Sequence, residues 1–555
     1  MKEEAMKKLA RIAMILCAVA GMLSLVMFVP QVRELIIGLG ERMVGRPLTH
    51  EVWHGRFIRW ELQFLVLVLV ACFILSGRAV EINIRGMKII TWTFIGAVSV
   101  CLVVAAGISA DIWLDETFSL GLARHSMKDL VQLTAQDTLP PLYYIFLRPA
   151  MVLFPDSVFA AKVVSVVPVV LLLCSVAAFF SKQYSYRSAL LFCALLASTS
   201  SVLFYAIEIR TYSWCMLFCG LCAISSWYMV RSGSWRSFLA YIFFAECGAY
   251  CHYWTAFGLA INFTLVSAVC LRKNRKLLGR ILISVVLGIV FYLPWSFVVI
   301  GQVSRTANDF WIAPITVRYF TGYIFTVIPM SNVAKLAAIA LLVWLFVRSL
   351  QGLRKKDEKS VFLLICLFTP FLLILCATVI SFAVRPLFIM RYAVPFVAFT
   401  VFFIVLACEE CGVGRNVVLV FLCMGILCSI VSMERFFRTE KSFSDADNAF
   451  VAMMNENLTE RTVFVFGETI DSHIPRCIAY RYPQNRICGC EITALWTSAY
   501  FYDRKNLIAT LDGEDDLCLV LPEDEPPPRE FEGIEPKVAR MSVYPSYKFY
   551  FIKRQ

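Results

Sequence analysis

The sequence predicts a polytopic α-helical membrane protein that ends in a small α/β domain, and three observations carry that expectation. Of its 555 residues, 59% are hydrophobic and only 17% are charged, with a mean hydropathy of +0.72; soluble domains run at roughly 45–50% apolar. Apolar runs long enough to cross a bilayer, roughly 17 to 25 residues each, recur as far as about Met433. After about Phe436 the runs shorten to "TVFVFG", "DLCLVLP" and "YKFYFIKR", separated by Pro, Gly and acidic clusters such as "PEDEPPP". Those are strand-length segments with turn punctuation.

Taken in order, spans are expected at about 9–29, 61–77, 89–110, 159–181, 188–204, 212–230, 236–251, 255–271, 280–300, 333–350, 361–383, 393–410 and 414–432, about thirteen in all. The organisation that follows is two extra N-terminal spans in 1–88, a main transmembrane unit in 89–433 with a first large loop at 111–158, and a soluble domain in 434–555. Four of the 21 cysteines, Cys477, Cys488, Cys490 and Cys518, fall in that last domain, at a spacing that matches no metal pattern and leaves disulfides open.

Orientation follows from the cations, because short loops rich in Lys and Arg stay cytoplasmic. Lys2, Lys7, Lys8, Arg78, Arg85 and Lys88, then "RKNRKLLGR" (Arg272 to Arg280) and "RSLQGLRKK" (Arg348 to Lys356), all fall on one side of the thirteen-span arrangement. The opposite side then carries the 111–158 loop, "YAIEIRTY" (from Tyr205), "YCHYW" (from Tyr250), "RPLFIMRY" (from Arg385) and the C-terminal domain. The expected location is the cytoplasmic (plasma) membrane, with that domain exterior. The net charge of +12 is accounted for by anchoring to the anionic inner leaflet and implies no nucleic acid. Walker A and glycine-rich dinucleotide fingerprints are both missing from the sequence, which argues against a nucleotide-driven cytosolic reaction.

Within "DIWLDETFSLGLARHSMKDLVQLTAQDTLPPLYYIFL", Asp111, Asp115, Glu116 and Asp137 follow directly on a span. Ionisable groups are costly in hydrocarbon, so these acids must reach water or a polar cavity. On a helix Asp115 and Glu116 would diverge; only an irregular turn would aim them together. "LPPLYYIFLRPAMVLF" is too broken by Pro140, Pro141 and Pro149 for a straight span, yet apolar enough for a half-buried interfacial helix. Taken singly, each of the acids reads as solvating a loop; the arrangement as a whole does not.

The whole arrangement resembles the GT-C superfamily of multi-spanning glycosyltransferases, which includes protein O-mannosyltransferases, aminoarabinose transferases and cell-envelope mannosyl- and arabinosyltransferases. The residues that carry the resemblance are the acidic pair in "WLDET", then "DTLPPLYY", "YAIEIRTYSW", "CHYW" and, more weakly, "RYAVP". They cover about Ala105 to Pro395, and Leu139 stands where the family usually has His. The resemblance implies a GT-C-like fold, a sugar on a polyprenyl phosphate as donor, and an envelope glycan, lipid or protein as acceptor, with membrane lipids around the site.

Such a reaction needs a base for the acceptor hydroxyl, for which Asp115 is the candidate. It also needs fixed positive charge on the departing phosphate, for which Arg210 and Arg391 fit by sidedness and by the two-pronged donation of guanidinium. Glu116 and Asp137 are read as positioning the acceptor or holding a divalent cation, since hard cations take oxygen ligands; the family does not uniformly require metal. Glu208 reads as a sugar contact or as the ion-pair partner that orients Arg210. Tyr212 and His252 read as phosphate or sugar contacts or as structural residues. The Asp-x-Asp of "SDADN" (Ser444 to Asn448) reads as helix capping and solvation. The competing reading is a transporter or flippase of lipid-linked saccharides. Transporters usually place ionisable groups near the midplane in repeated, broken helices, whereas here they gather at outer mouths and no internal repeat is apparent.

Overall fold

The chain is described from a computed structural model covering residues 84–109, 111–155, 157–305, 322–323, 342–351, 358–384, 386–410, 415–466, 473–488, 515–541 and 544–554. The two spans expected before residue 84 lie outside the described residues, as does Cys490.

Helices dominate as far as Asn457. In chain order they are α1 (Ile84–Ile108), α2 (Leu114–Arg124), α3 (Met127–Gln136), α4 (Leu142–Leu153), α5 (Val158–Gln183), α6 (Tyr186–Ala197), α7 (Ser200–Ile207), α8 (Tyr212–Ser232), α9 (Trp235–Ala249), α10 (Tyr253–Lys273) and α11 (Leu278–Arg305). They continue as α12 (Leu342–Gln351), α13 (Glu358–Ala383), a 3₁₀ segment (Met390–Phe396), α14 (Val397–Glu410) and α15 (Arg415–Asn457). Among the described residues seven helices are long and apolar enough to cross a membrane, or eight if a bent pair counts as one span. The span expected at 188–204 falls on that pair, in which α6 and α7 meet at 75°. The break falls at Ser198–Thr199, whose hydroxyls turn back onto the carbonyl of Leu195. Such local bonding competes with the helical ladder.

The expected interfacial segment forms α4, which buries Tyr143, Tyr144, Leu147 and Met151 and exposes Val152, Leu153 and Phe154. The main core joins α1, α5, α8, α10, α13 and α14. Gly258 on α10 lets the Phe396 ring approach to where a Cβ would lie 2.2 Å from it, which seats the 3₁₀ segment against α10.

Chain reversals set the ends of the bundle. Gly233 ends α8 in the left-handed conformation, φ 60°, which glycine adopts without a Cβ penalty. Beside it, Lys273 donates to Val230 O at 3.2 Å and Arg280 donates to Gly233 O. This end therefore gathers Arg231, Arg236, Arg272, Lys273, Arg275, Lys276 and Arg280. The other end is tied by Thr211 Oγ1 to Cys251 O (3.1 Å), Leu142 N to Tyr250 O (3.0 Å), Gln302 Nε2 to Thr134 O (3.1 Å) and Trp254 Nε1 to Leu387 O (3.0 Å). Although α9 has only 15 residues, it carries the chain from Gly233 back to the level where α8 began.

The C-terminal domain is a five-stranded sheet of β1 (Val463–Phe466), β2 (Arg486–Cys488), β3 (Leu517–Pro522), β4 (Lys537–Arg540) and β5 (Ser546–Ile552), with α16 (His473–Arg481) between β1 and β2. The order is β2-β1-β3-β5-β4; β1 pairs in parallel with β2 and β3, and β5 antiparallel with β3 and β4. Alternation along the strands gives two packed faces. Val463, Val465, Leu517 and Leu519 line one. Phe464, Phe466, Cys518 and Val520 line the other, against α16, the end of α15 and Leu114. Cys477 and Cys518 are buried thiols. The 43-residue α15 runs without a break through the boundary expected at 433/434. "SDADN" lies inside it, so Asp447 is no cap. It is buried and pairs with Arg481 at 2.8 Å, because α16 packs where solvent was expected.

Candidate functional site

The acidic pair opens α2. Trp113 is the N-cap in an extended conformation, and Asp115 and Glu116 lie in the first turn, where the helix dipole favours negative charge. Because the segment is helical, the two carboxylates diverge. Glu116 Oε2 accepts from Trp113 N at 3.2 Å, Oε1 accepts from Ile209 N at 2.9 Å, and Lys162 Nζ lies 3.9 Å away. Glu116 thus ties the start of α2 to the turn before α8. Burial pushes its carboxyl up to about 7, against the pull of Lys162. Asp115 points the other way, with Oδ2 3.0 Å from Arg391 Nη1 and 3.7 Å from Arg210 Nη2.

The two arginines are held differently. Arg210 is 7% exposed and donates to Asp115 O (3.2 Å) and Ser119 Oγ (3.4 Å). Arg391 stands on the 3₁₀ segment with 17% of its side chain exposed, its guanidinium 5.8 Å from the Trp113 ring centroid. Glu208 has extended backbone, and the Arg210 amide donates to its carbonyl at 2.7 Å. Its Oε1 accepts from Trp113 Nε1 at 2.9 Å, while Oε2 has no hydrogen-bond partner among the described residues. Burial, reinforced by Glu116, raises the Glu208 carboxyl well above its ordinary range.

Asp137 is the C-cap of α3 and half-buried. Burial raises it to about 6, opposed by the Thr138 amide and Arg210 and assisted by Asp115. Tyr212 is packed into the wall, 4.7 Å from the Tyr205 ring and 5.9 Å from His252. His252 caps α10: its Nδ1 accepts from Trp254 N at 3.2 Å, which assigns the ring proton to Nε2. Burial first, then Arg210 and Arg391, push its pKa down to about 3, so the ring is neutral. Its Nε2 is buried with no partner among the described residues. His252 lines a cavity of about 250 Å³ with Leu139, Trp254, Gln302, Leu387 and Tyr392. Leu139 therefore forms part of an apolar wall beside His252.

The eight residues singled out in the sequence converge at one end of the bundle. Several neighbours were not singled out. Lys162, 3% exposed, lies 4.0 Å from Asp111 and 3.9 Å from Glu116 and donates to Ser109 Oγ at 2.6 Å. Its signal was available, as a lone cation inside the apolar run "VFAAKVVSVV". Glu440, Arg481 and Tyr544 reach the site from the C-terminal third and had no local signal. No group of three or more His, Cys, Asp or Glu among the described residues is arranged to hold a metal ion.

No protein-family model matches the chain, and no curated protein matches its sequence. Its fold matches the crystal structure of ArnT from Cupriavidus metallidurans in the apo state, with TM-score 0.57 and 11% identity over 83% of this chain and 97% of that one. It also matches ArnT from Cupriavidus metallidurans bound to undecaprenyl phosphate, with TM-score 0.57 and 12% identity over the same shares. At this identity the likeness establishes the fold: the chain shares the helical membrane architecture of those structures and carries a small C-terminal sheet domain.

Proposed function

We propose that the protein is an inverting glycosyltransferase of the cytoplasmic membrane, moving a sugar from a polyprenyl-phosphate donor to an acceptor hydroxyl at the outer face. The observation that carries this reading is the Asp115 carboxylate between Arg391 and Arg210 beside the cavity of the neutral His252 donor. A base next to phosphate-matched cations is what a displacement at a sugar-phosphate carbon requires. The fold shared with a protein crystallised with undecaprenyl phosphate supports the choice of donor class. The end of the bundle opposite the site carries the basic turns, which supports an outward-facing site, with the C-terminal domain exterior.

Asp115 takes the proton of the acceptor hydroxyl. The acceptor oxygen bonds to the anomeric carbon from one face, and the bond to the phosphate oxygen breaks on the other with its electron pair. The polyprenyl phosphate leaves with its added charge held by Arg391 and Arg210. Donor phosphate and Asp115 compete for the same two guanidinium charges, so donor binding releases the carboxylate towards the acceptor. The His252 Nε2–H donates to a phosphate or sugar oxygen without itself carrying charge. Purified protein incubated with a panel of synthetic polyprenyl-phosphate sugars and envelope-type acceptors is expected to consume one donor class and release the polyprenyl phosphate. Intact donors throughout the panel would reject the reading.

Two steps are expected in the pH profile of transfer. Asp137 loses its proton near pH 6 and Glu116 near pH 7, so both become anionic only as pH rises through those values. Transfer therefore climbs between about pH 5 and 8, Asp137→Asn removes the lower step and Glu116→Gln the upper one. A single step near 6.5 that disappears in His252→Gln would contradict the neutral assignment of that ring.

A further inference from the structure

The connector between α1 and α2 is held at three successive points by the C-terminal third of the chain. Ser109 Oγ donates to Glu440 Oε2 at 2.6 Å. Ile112 O accepts from Arg481 Nη2 at 3.4 Å, and Asp447 aims that guanidinium at 2.8 Å. Leu114 N donates to the Tyr544 hydroxyl at 2.9 Å, across a sequence separation of 430. The Leu114 side chain, 7% exposed, is built into the core of the sheet domain with Phe450, Phe464 and Phe549. Behind it, Arg124 at the far end of α2 stacks on Tyr480 of α16 at 4.5 Å.

The first N–H groups of a helix have no partner within it. Here the first is taken by a tyrosine from another domain, one residue before Asp115. Asp115 follows directly on Leu114 in α2, and a 1 Å misplacement of a reacting group can cost on the order of 100-fold.

We propose that the C-terminal sheet domain positions the base of the reaction, with Tyr544, Arg481 and Glu440 clamping Leu114, Ile112 and Ser109 so that α2 holds Asp115 in place beside Arg391 and Arg210. What Asp115 does there rests on the glycosyl-transfer reading; the clamp rests on geometry. Tyr544 is a positioning residue that acts through the Leu114 amide.

The test uses full-length protein in detergent and the variant Tyr544→Phe, which keeps the ring and removes the hydroxyl. An unchanged melting temperature reports that the domain remains folded. Hydrogen exchange of the peptide containing Leu114 is expected to quicken about tenfold, and kcat to fall about 3- to 10-fold with donor KM unchanged, as for loss of one hydrogen bond. Unchanged exchange at Leu114 overturns the clamp, whatever the activity. Faster exchange with unchanged kcat overturns the positioning role. Faster exchange in a protein whose wild type consumes no donor supports the clamp and removes the glycosyl-transfer reading instead.

Discussion

Asp115→Asn is expected to lose about 100- to 10,000-fold in sugar transfer, the usual worth of a general base, while donor binding persists. Asparagine keeps the size and one acceptor oxygen but carries no charge. Arg391 and Arg210 then face a neutral amide in place of the carboxylate they hold at 3.0 and 3.7 Å, so more of their N–H capacity is offered to an incoming phosphate. The signature is a fall in kcat with donor KM unchanged or lower, the pattern of an interaction made only in the transition state. Labelled donor retained by the solubilised variant, measured beside sugar transferred, separates the two quantities. Near-normal transfer would remove Asp115 from the base role. A transporter that uses Asp115 only as a polar contact would instead keep its flux, or lose binding and flux together.

The second large effect is expected at the arginines, and it differs between them. Arg391→Lys keeps the charge but loses the paired N–H geometry that suits phosphate. Loss of one charge-assisted hydrogen bond, roughly 1.5 to 3 kcal/mol, lowers kcat/KM for donor by about 10- to 150-fold, with kcat falling because the charge Arg391 holds grows as the phosphate leaves. Arg210 is more deeply buried and bonds Asp115 O and Ser119 Oγ. Arg210→Lys is therefore expected to lower the melting temperature in addition, because α2 loses its tie to the turn before α8. Donor-concentration curves and thermal melts of the two variants decide between these roles. Wild-type donor use in both would reject the phosphate assignment.

Much of the architecture followed from local pattern. Hydropathy alone placed the spans that became α1, α5, α8, α10, α11, α13 and α14, since a bilayer imposes one length on every crossing segment. Short runs with turn punctuation announced the sheet domain, because strand periodicity is a local property. The divergence of Asp115 from Glu116 was also contained in the sequence, conditional on a helix at that point. Local pattern did not reveal the bend at Ser198 and Thr199 inside the span expected at 188–204, and it failed where Asp447 of "SDADN" met an arginine 34 residues away.

What the sequence by itself determined is the class of protein, the order of its helices, and the gathering of the acids and of Arg210, His252 and Arg391 on the side away from the basic turns. What only the tertiary structure decided is which group each side chain meets: Asp115 with Arg391, Glu116 with Ile209 and Lys162, Trp113 with Glu208, Leu114 with Tyr544. These pairs join positions from 46 to 430 residues apart. Nothing in the period of a helix or strand encodes such a pairing; it arises when buried polar groups, unable to reach water, must find partners among whatever other elements the packing brings beside them.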